Sequence, residues 1–216
     1  MMKRGWHWTA ATLLLAAAGA ACSSAPAART ATPAPGAARP QTPGPARPAN
    51  PADVEFMSGM IHHHAQAIVM AKWSETHGAS ERIRVLSERI IVSQTDEIKL
   101  FQQWLSEHGA PVPEPSATGQ RMMMGGVAHD HLMPGMLTAE QMQQLDRARG
   151  TEFDRLFLVF MIQHHEGALT MVDKLFATTG GGTDDFIYKI ASDTFADQGS
   201  EIDRMQKMLD AMGPPR

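Results

Sequence analysis

Asp53-Val54-Glu55-Phe56-Met57-Ser58-Gly59-Met60-Ile61-His62-His63-His64-Ala65-Gln66-Ala67-Ile68-Val69-Met70 has a second edition 101 residues later. It reads Asp154-Arg155-Leu156-Phe157-Leu158-Val159-Phe160-Met161-Ile162-Gln163-His164-His165-Glu166-Gly167-Ala168-Leu169-Thr170-Met171. Asp, Phe, Met-Ile, His-His, Ala and Met recur at matched positions, so the chain contains an internal duplication. A helix advances about 100° per residue. With Met60 at the centre of one face, His63 and His64 flank it, Ala67 lies close by, and Asp53, Phe56 and Met57 share the same half. Met70 falls on the His63 edge. Met161, His164, His165, Ala168 and Met171 repeat the arrangement. His62 and Gln163 fall on the opposite side, where outward exposure would leave the two copies free to differ.

The surrounding pattern is helical too. Asn50-Pro51 is a start signal, an N-cap residue followed by proline in the first turn. The first helix is expected to run to about Thr76, with Gly78 as its stop. Ser80-Glu81 opens a second helix to about His108. Thr138 and Gln141 match a capping box, and helix continues toward Phe176, with Gly150 dividing a short lead-in from the main segment. Gly180-Gly181-Gly182 is a turn, Thr183 is the expected cap of the last helix, and Gly213-Pro214 ends it. No segment shows strand alternation. Gln94, Glu97, Ile98, Gln102 and Leu105 recur as Gln198, Glu201, Ile202, Gln206 and Leu209, offset by 104, so each copy is a helical hairpin. Two such hairpins, 51–108 and 138–212 around a linker at 109–137, predict an all-α four-helix bundle spanning 51–212.

The first fifty residues do not look foldable. Lys3 and Arg4 precede a short apolar run from Thr9 to Ala21, which reads as a signal peptide over residues 1–21 and is too short for a permanent membrane span. Ala18-Gly19-Ala20-Ala21-Cys22 resembles a bacterial lipobox, in which Cys22 would be acylated. The other reading is an ordinary cleavage site with Cys22 incidental. Either way the chain is expected to be exported, to the periplasm or cell envelope. Residues 22–50 are rich in Ala, Pro and Thr and read as a tether without a core.

Composition narrows the chemistry. A net charge of −4 is too mild to point to nucleic acid, and a membrane would be met only through the lipid anchor. No obligate protein partner is evident. The chain has 16 Met and 10 His but one Cys, so soft ligands would be thioethers rather than thiolates. Methionine on an inner helix face is usually core filler. Paired imidazoles beside it, placed twice, are costly to bury unless something satisfies their nitrogens. Gln94, Glu97, Gln198 and Glu201 could do part of this across the bundle; a metal could do the rest. Thioether selects Cu(I), or Ag(I) by the same softness, while imidazole also suits Cu(II) and zinc. A di-iron bundle would require Glu-x2-His motifs, and the folded part has none. No Gly-x-Ser-x-Gly, His-Glu-x2-His or Gly-rich phosphate loop occurs, so no hydrolytic constellation is expected. The inner candidate ligands are therefore Met57, Met60, His63, His64, Met70, Met161, His164, His165 and Met171. A second group sits in the linker: His129, His131, Met133 and Met136, preceded by Met122, Met123 and Met124. The expected role is binding without catalysis. A copper redox enzyme on the same bundle, and a metal-free interaction module, are the alternatives.

The two repeats, the Gln-x2-Glu-Ile segments and Met133-Pro134-Gly135-Met136-Leu137-Thr138 together resemble the domain of unknown function 305 (DUF305) family. The resemblance implies a ferritin-like four-helix bundle, usually exported. It also implies copper binding and copper resistance, since a characterised periplasmic member binds copper, with the Met and His residues named above as ligands.

Overall fold

The computed structural model describes residues 49–214, apart from the side chains at 124 and 127–129. The expectations for residues 1–48, including the signal peptide, most of the tether and acylation of Cys22, lie outside the described residues. The chain forms α1 (Pro51–Lys72), α2 (Glu81–Glu107), a β-hairpin of β1 (Gln120–Met124) and β2 (Val127–His131), α3 (Ala139–Arg147), α4 (Gly150–Ala177) and α5 (Asp185–Ala211). Among the described residues no helix is long and apolar enough to cross a membrane.

Local signals set most of these limits. The Asn50 side chain accepts from the Ala52 amide at 2.8 Å, with Pro51 opening the helix behind it. The Thr138–Gln141 capping box closes in both directions. α1 ends four residues before Thr76, tightening into a 3₁₀ turn at Trp73–Glu75. Gly150 divides α3 from α4 with φ +57. Two expectations need correction. Asp184, not Thr183, caps α5, because its carboxylate reaches the amides of both Phe186 and Ile187. The linker also contains strands: Gln120 pairs with His131 and Met124 with Val127, around a turn in which Gly125 and Gly126 both take positive φ. That is the backbone a tight hairpin turn demands, and the Gly-Gly dipeptide between short runs was its signal.

The hairpins α1/α2 and α4/α5 pack through α1 and α4. The apolar core lies in two halves. One joins the early part of α1 (Phe56, Met57, Met60, Ile61) to the late part of α4 (Ala168, Met171, Val172, Leu175), with Ile98, Phe101, Ile187 and Ala191. The other joins late α1 (Ala67, Met70, Ala71) to early α4 (Phe153, Phe157, Met161), with Ile83, Ile90 and Met205. So α1 and α4 run in opposite directions and cross at their middles. Between the halves lies a layer of buried polar side chains: His63, His64, Gln94, His164, His165, Thr194 and Gln198.

The aspartates of the repeat lock the hairpins to each other. Asp53 Oδ1 accepts from the Gly182 amide, in the turn of the second hairpin, at 2.7 Å. Asp154 accepts from the Ser80 amide, at the start of α2, at 3.1 and 3.2 Å. Each copy thus satisfies a free backbone donor at the turn of the other. Burial pushes the Asp53 carboxyl above the usual carboxylate range, opposed by the Gly182 amide.

Candidate metal centre

The buried layer is built by the helix period. His63 and His64 follow Met60 by three and four residues, and His164 and His165 follow Met161 likewise, so each pair sits on the inner face its Met defines. Ala67 and Ala168, both fully buried, are small enough to let the helices close at the crossing. The four imidazoles are 0% exposed. They form a row. His63 and His164 meet across the crossing with ring centroids 3.8 Å apart, His64 lies 6.3 Å from His63, and His165 lies 6.2 Å from His164. The two copies therefore share one layer.

Hydrogen bonds fix which nitrogen of each ring is free. His63 Nε2 lies 3.0 Å from the carbonyl oxygen of Pro134. A carbonyl only accepts, so Nε2 carries the proton and Nδ1 the lone pair. His64 Nε2 is 2.5 Å from Glu97 Oε2, and His165 Nε2 is 2.8 Å from Glu201 Oε2, which assigns the same tautomer to both. The Nδ1 atoms of His63, His64 and His165 and both nitrogens of His164 are buried with no partner. An orphaned buried polar atom costs about 1–3 kcal/mol, so this layer is unusually rich in unmet hydrogen-bonding capacity. The glutamates thus satisfy the Nε2 atom of each outer imidazole and leave the rest open.

Electrostatics keep the two rings at the crossing, His63 and His164, neutral. Burial, then the neighbouring His64, lowers His63 to about 3, against the pull of the Pro134 carbonyl. His164 is lowered well below 6.5 by burial, then by His63, His165 and His64. Outside the row, Glu97 and Glu201 open on a cavity of about 150 Å³ between α2 and α5, shared with Gln94, Gln198 and Asp197. Burial, then Glu97, Asp193 and Glu201, raises the Asp197 carboxyl. The largest cavity described, about 450 Å³, lies under the linker beside Trp73 and Leu137 and is lined by none of these histidines.

The other candidate ligands divide. Met57, Met60, Met133, Met136 and Met171 share the first core half; Met70 and Met161 belong to the second. Met136 turns its sulfur toward the Met133 amide at 3.4 Å. His131 is exposed and lines a cavity with Met133 and Met171. Met122 and Met123 are exposed, and the side chains of Met124 and His129 lie outside the described ones. Among the described residues no three His, Cys, Asp or Glu side chains form a ready cage for one ion. The donors at hand are imidazoles in a row with thioethers one helical turn away, a set matched to an ion that accepts few, soft ligands.

The outward position of the repeat is not free. His62 is 5% exposed. Burial lowers its pKa, against the backbone of Ser116. Gln163 bonds Gln141 and the Gly135 carbonyl. One turn on, Gln66 holds Leu137 through its amide and carbonyl, and reaches the Ala117 carbonyl. The linker covers both copies, and a single segment meets each with different atoms; that is why the copies differ here. The role of Pro134 as acceptor for His63 carried no local signal in the sequence, because residues 71 apart make the bond.

The DUF305 family model, a domain of unknown function, matches residues 53–209, and the chain belongs to that family. Its fold is similar to a DUF305 protein of Streptomyces coelicolor assigned to the secreted proteins, at 26% identity and a TM-score of 0.63, covering 76% of this chain and 96% of that one. It is also similar to CopM in the Cu(I)-bound form, at 25% identity and a TM-score of 0.57, covering 75% of this chain and 98% of CopM. CopM is further known in Cu(II)-bound and silver-bound forms. A stretch of 55 residues is 40% identical to the uncharacterized protein L153 of Acanthamoeba polyphaga mimivirus; it covers 26% of this chain and 36% of that protein's length.

Proposed function

We propose that this protein binds copper as Cu(I), with Ag(I) as its chemical equivalent and Cu(II) as a weaker guest. The buried His layer would take the ion, and the protein would sequester or hand on copper in an exported, cell-envelope compartment. One observation carries this. His63, His64 and His165 each give the Nε2 proton to an acceptor, leaving a dry and unpartnered Nδ1. This is how metal-ligating imidazoles are held: the far nitrogen is tied down so that the near one is oriented and electron-rich. His63 and His164 would supply imidazole at the crossing, and Met60 or Met161 the thioether one turn away. A bound ion would supply the missing partner for nitrogens that otherwise have none. Similarity to CopM in its copper and silver forms supports the same metal class, and similarity to a DUF305 protein assigned to the secreted proteins supports export.

Competition for Cu(I) against a chromogenic chelator tests it. The wild type should withdraw copper from the chelator. An H63Q/H164Q variant, shown folded by circular dichroism, should withdraw much less. Equal, weak retention by both would end the reading in favour of a metal-free module. The role is binding without turnover, so sustained oxidation of ascorbate by the copper-loaded protein would contradict it.

A further inference from the structure

The repeat changes size sharply at one buried pair of positions: Gly59 stands where the second copy has Phe160. Gly59 is buried within a regular helix, where glycine is disfavoured by about 1 kcal/mol relative to alanine. The space it leaves is taken by the ends of two methionine side chains. A Cβ at position 59 would lie 3.0 Å from the Met171 methyl and 3.4 Å from Met133 Sδ. Two methionines from distant parts of the chain therefore converge on the space that glycine leaves.

Their surroundings are those of a doorway. Met133 and Met171 are each 8% exposed. They line a cavity of about 110 Å³ whose rim carries exposed His131 and whose wall includes Pro134. The Pro134 carbonyl is the group that holds His63. The cavity thus brings an exposed imidazole and two methionines together with the residue that contacts the buried row. An ion pair between Lys174 and Glu55, at 2.7 Å, lies at its mouth and leaves no net charge there. In the other core half the repeat counterparts of Gly59 and Met171 are Phe160 and Met70, so a phenyl ring stands where the first copy has glycine.

We propose that Met133 and Met171, over Gly59 and with His131 at the rim, form a capture site for a soft monovalent cation, Cu(I) or Ag(I). From it the ion passes inward to the His layer by ligand exchange. The thioethers are neutral and release no proton, and the ion keeps its charge throughout. The inference rests on the soft-metal reading of that layer and adds its route of access.

The test uses the full chain with carbon-13 in the methionine methyl groups, titrated with Ag(I), which does not change oxidation state. In the wild type the methyl resonances of Met133 and Met171 should shift at the lowest ratios, and the ring resonances of His63 and His164 should follow. In M133L/M171L the early shift should be lost and loading of the imidazoles slowed. In G59A, where the new methyl displaces only the flexible end of Met171, loading should also slow. Imidazoles that take Ag(I) at the wild-type rate in both variants would overturn the port and leave the His-layer reading intact. If no methionine or histidine resonance moves, both fall together.

Discussion

Glu97 and Glu201 show what single residues do here. Each is mostly covered and holds the Nε2 proton of an imidazole that is fully buried. The carboxylate orients the ring and aims its opposite nitrogen into the layer, as the outer partners of ligating imidazoles do. Removing that charge while keeping shape should therefore weaken metal binding and spare the fold. E97Q/E201Q is expected to lower Cu(I) affinity by roughly 10–100-fold, read by the same chelator competition, with an unchanged helical spectrum. Unchanged affinity would make the two glutamates purely structural. The neutral inner rings have their own consequence. His63 takes a proton at about 3 when folded and near 6.5 when unfolded, and His164 shifts in the same direction. Between those values the unfolded chain binds more protons, so stability of the apoprotein must fall as pH drops from about 6.5 toward 3. Asp53, shifted upward, works in the opposite sense. The urea midpoint should be lower at pH 5 than at pH 7, and H63Q/H164Q should flatten the difference.

At the level of elements, the segment Met133–Leu137 does more than connect hairpins. It lies between α1 and α4, gripped by Gln66 on one side and seated on Gly167 on the other. A Cβ at Gly167 would sit 2.0 Å from the Pro134 carbonyl oxygen, and one at Gly135, where φ is +75, would sit 2.5 Å from the Gln163 carbonyl. Backbone against backbone cannot yield as a side chain would. G167A should therefore destabilise by about 1–3 kcal/mol or more and pull Pro134 away from His63, lowering both the melting temperature and copper affinity. A variant as stable as wild type would mean that the linker does not press on α4. This level was the least legible in the sequence. Helix starts at Asn50 and Thr138 were written in local capping chemistry and could be read directly. The contacts of His62, Gln66 and Pro134 depend on where a 29-residue linker crosses the bundle (109–137, by sequence), and periodicity holds no record of that. His62 was placed correctly on its helix face, yet the far side of a helix is not solvent when a loop lies across it.

Across the whole molecule the duplication sets the plan. Its inward Met, His and Ala positions could be read from spacing alone, because a helix converts spacing into a face. What spacing could not give was the meeting of the two faces. His63 against His164, and the division of Met70 and Met161 from the other methionines, follow from the opposite directions of α1 and α4. The departure from symmetry was printed in the sequence as Gly59 against Phe160, but its meaning required Met133 and Met171 to be placed beside it.

The central claim is that one buried layer, shared by both copies, takes a soft ion on imidazole and thioether together. X-ray absorption at the copper edge of the Cu(I)-loaded chain tests this most directly. The expected spectrum shows sulfur and imidazole scattering from the same copper, with the imidazole contribution lost in H63Q/H164Q. Copper ringed by oxygen alone, or a spectrum that the variant leaves unchanged, would contradict it.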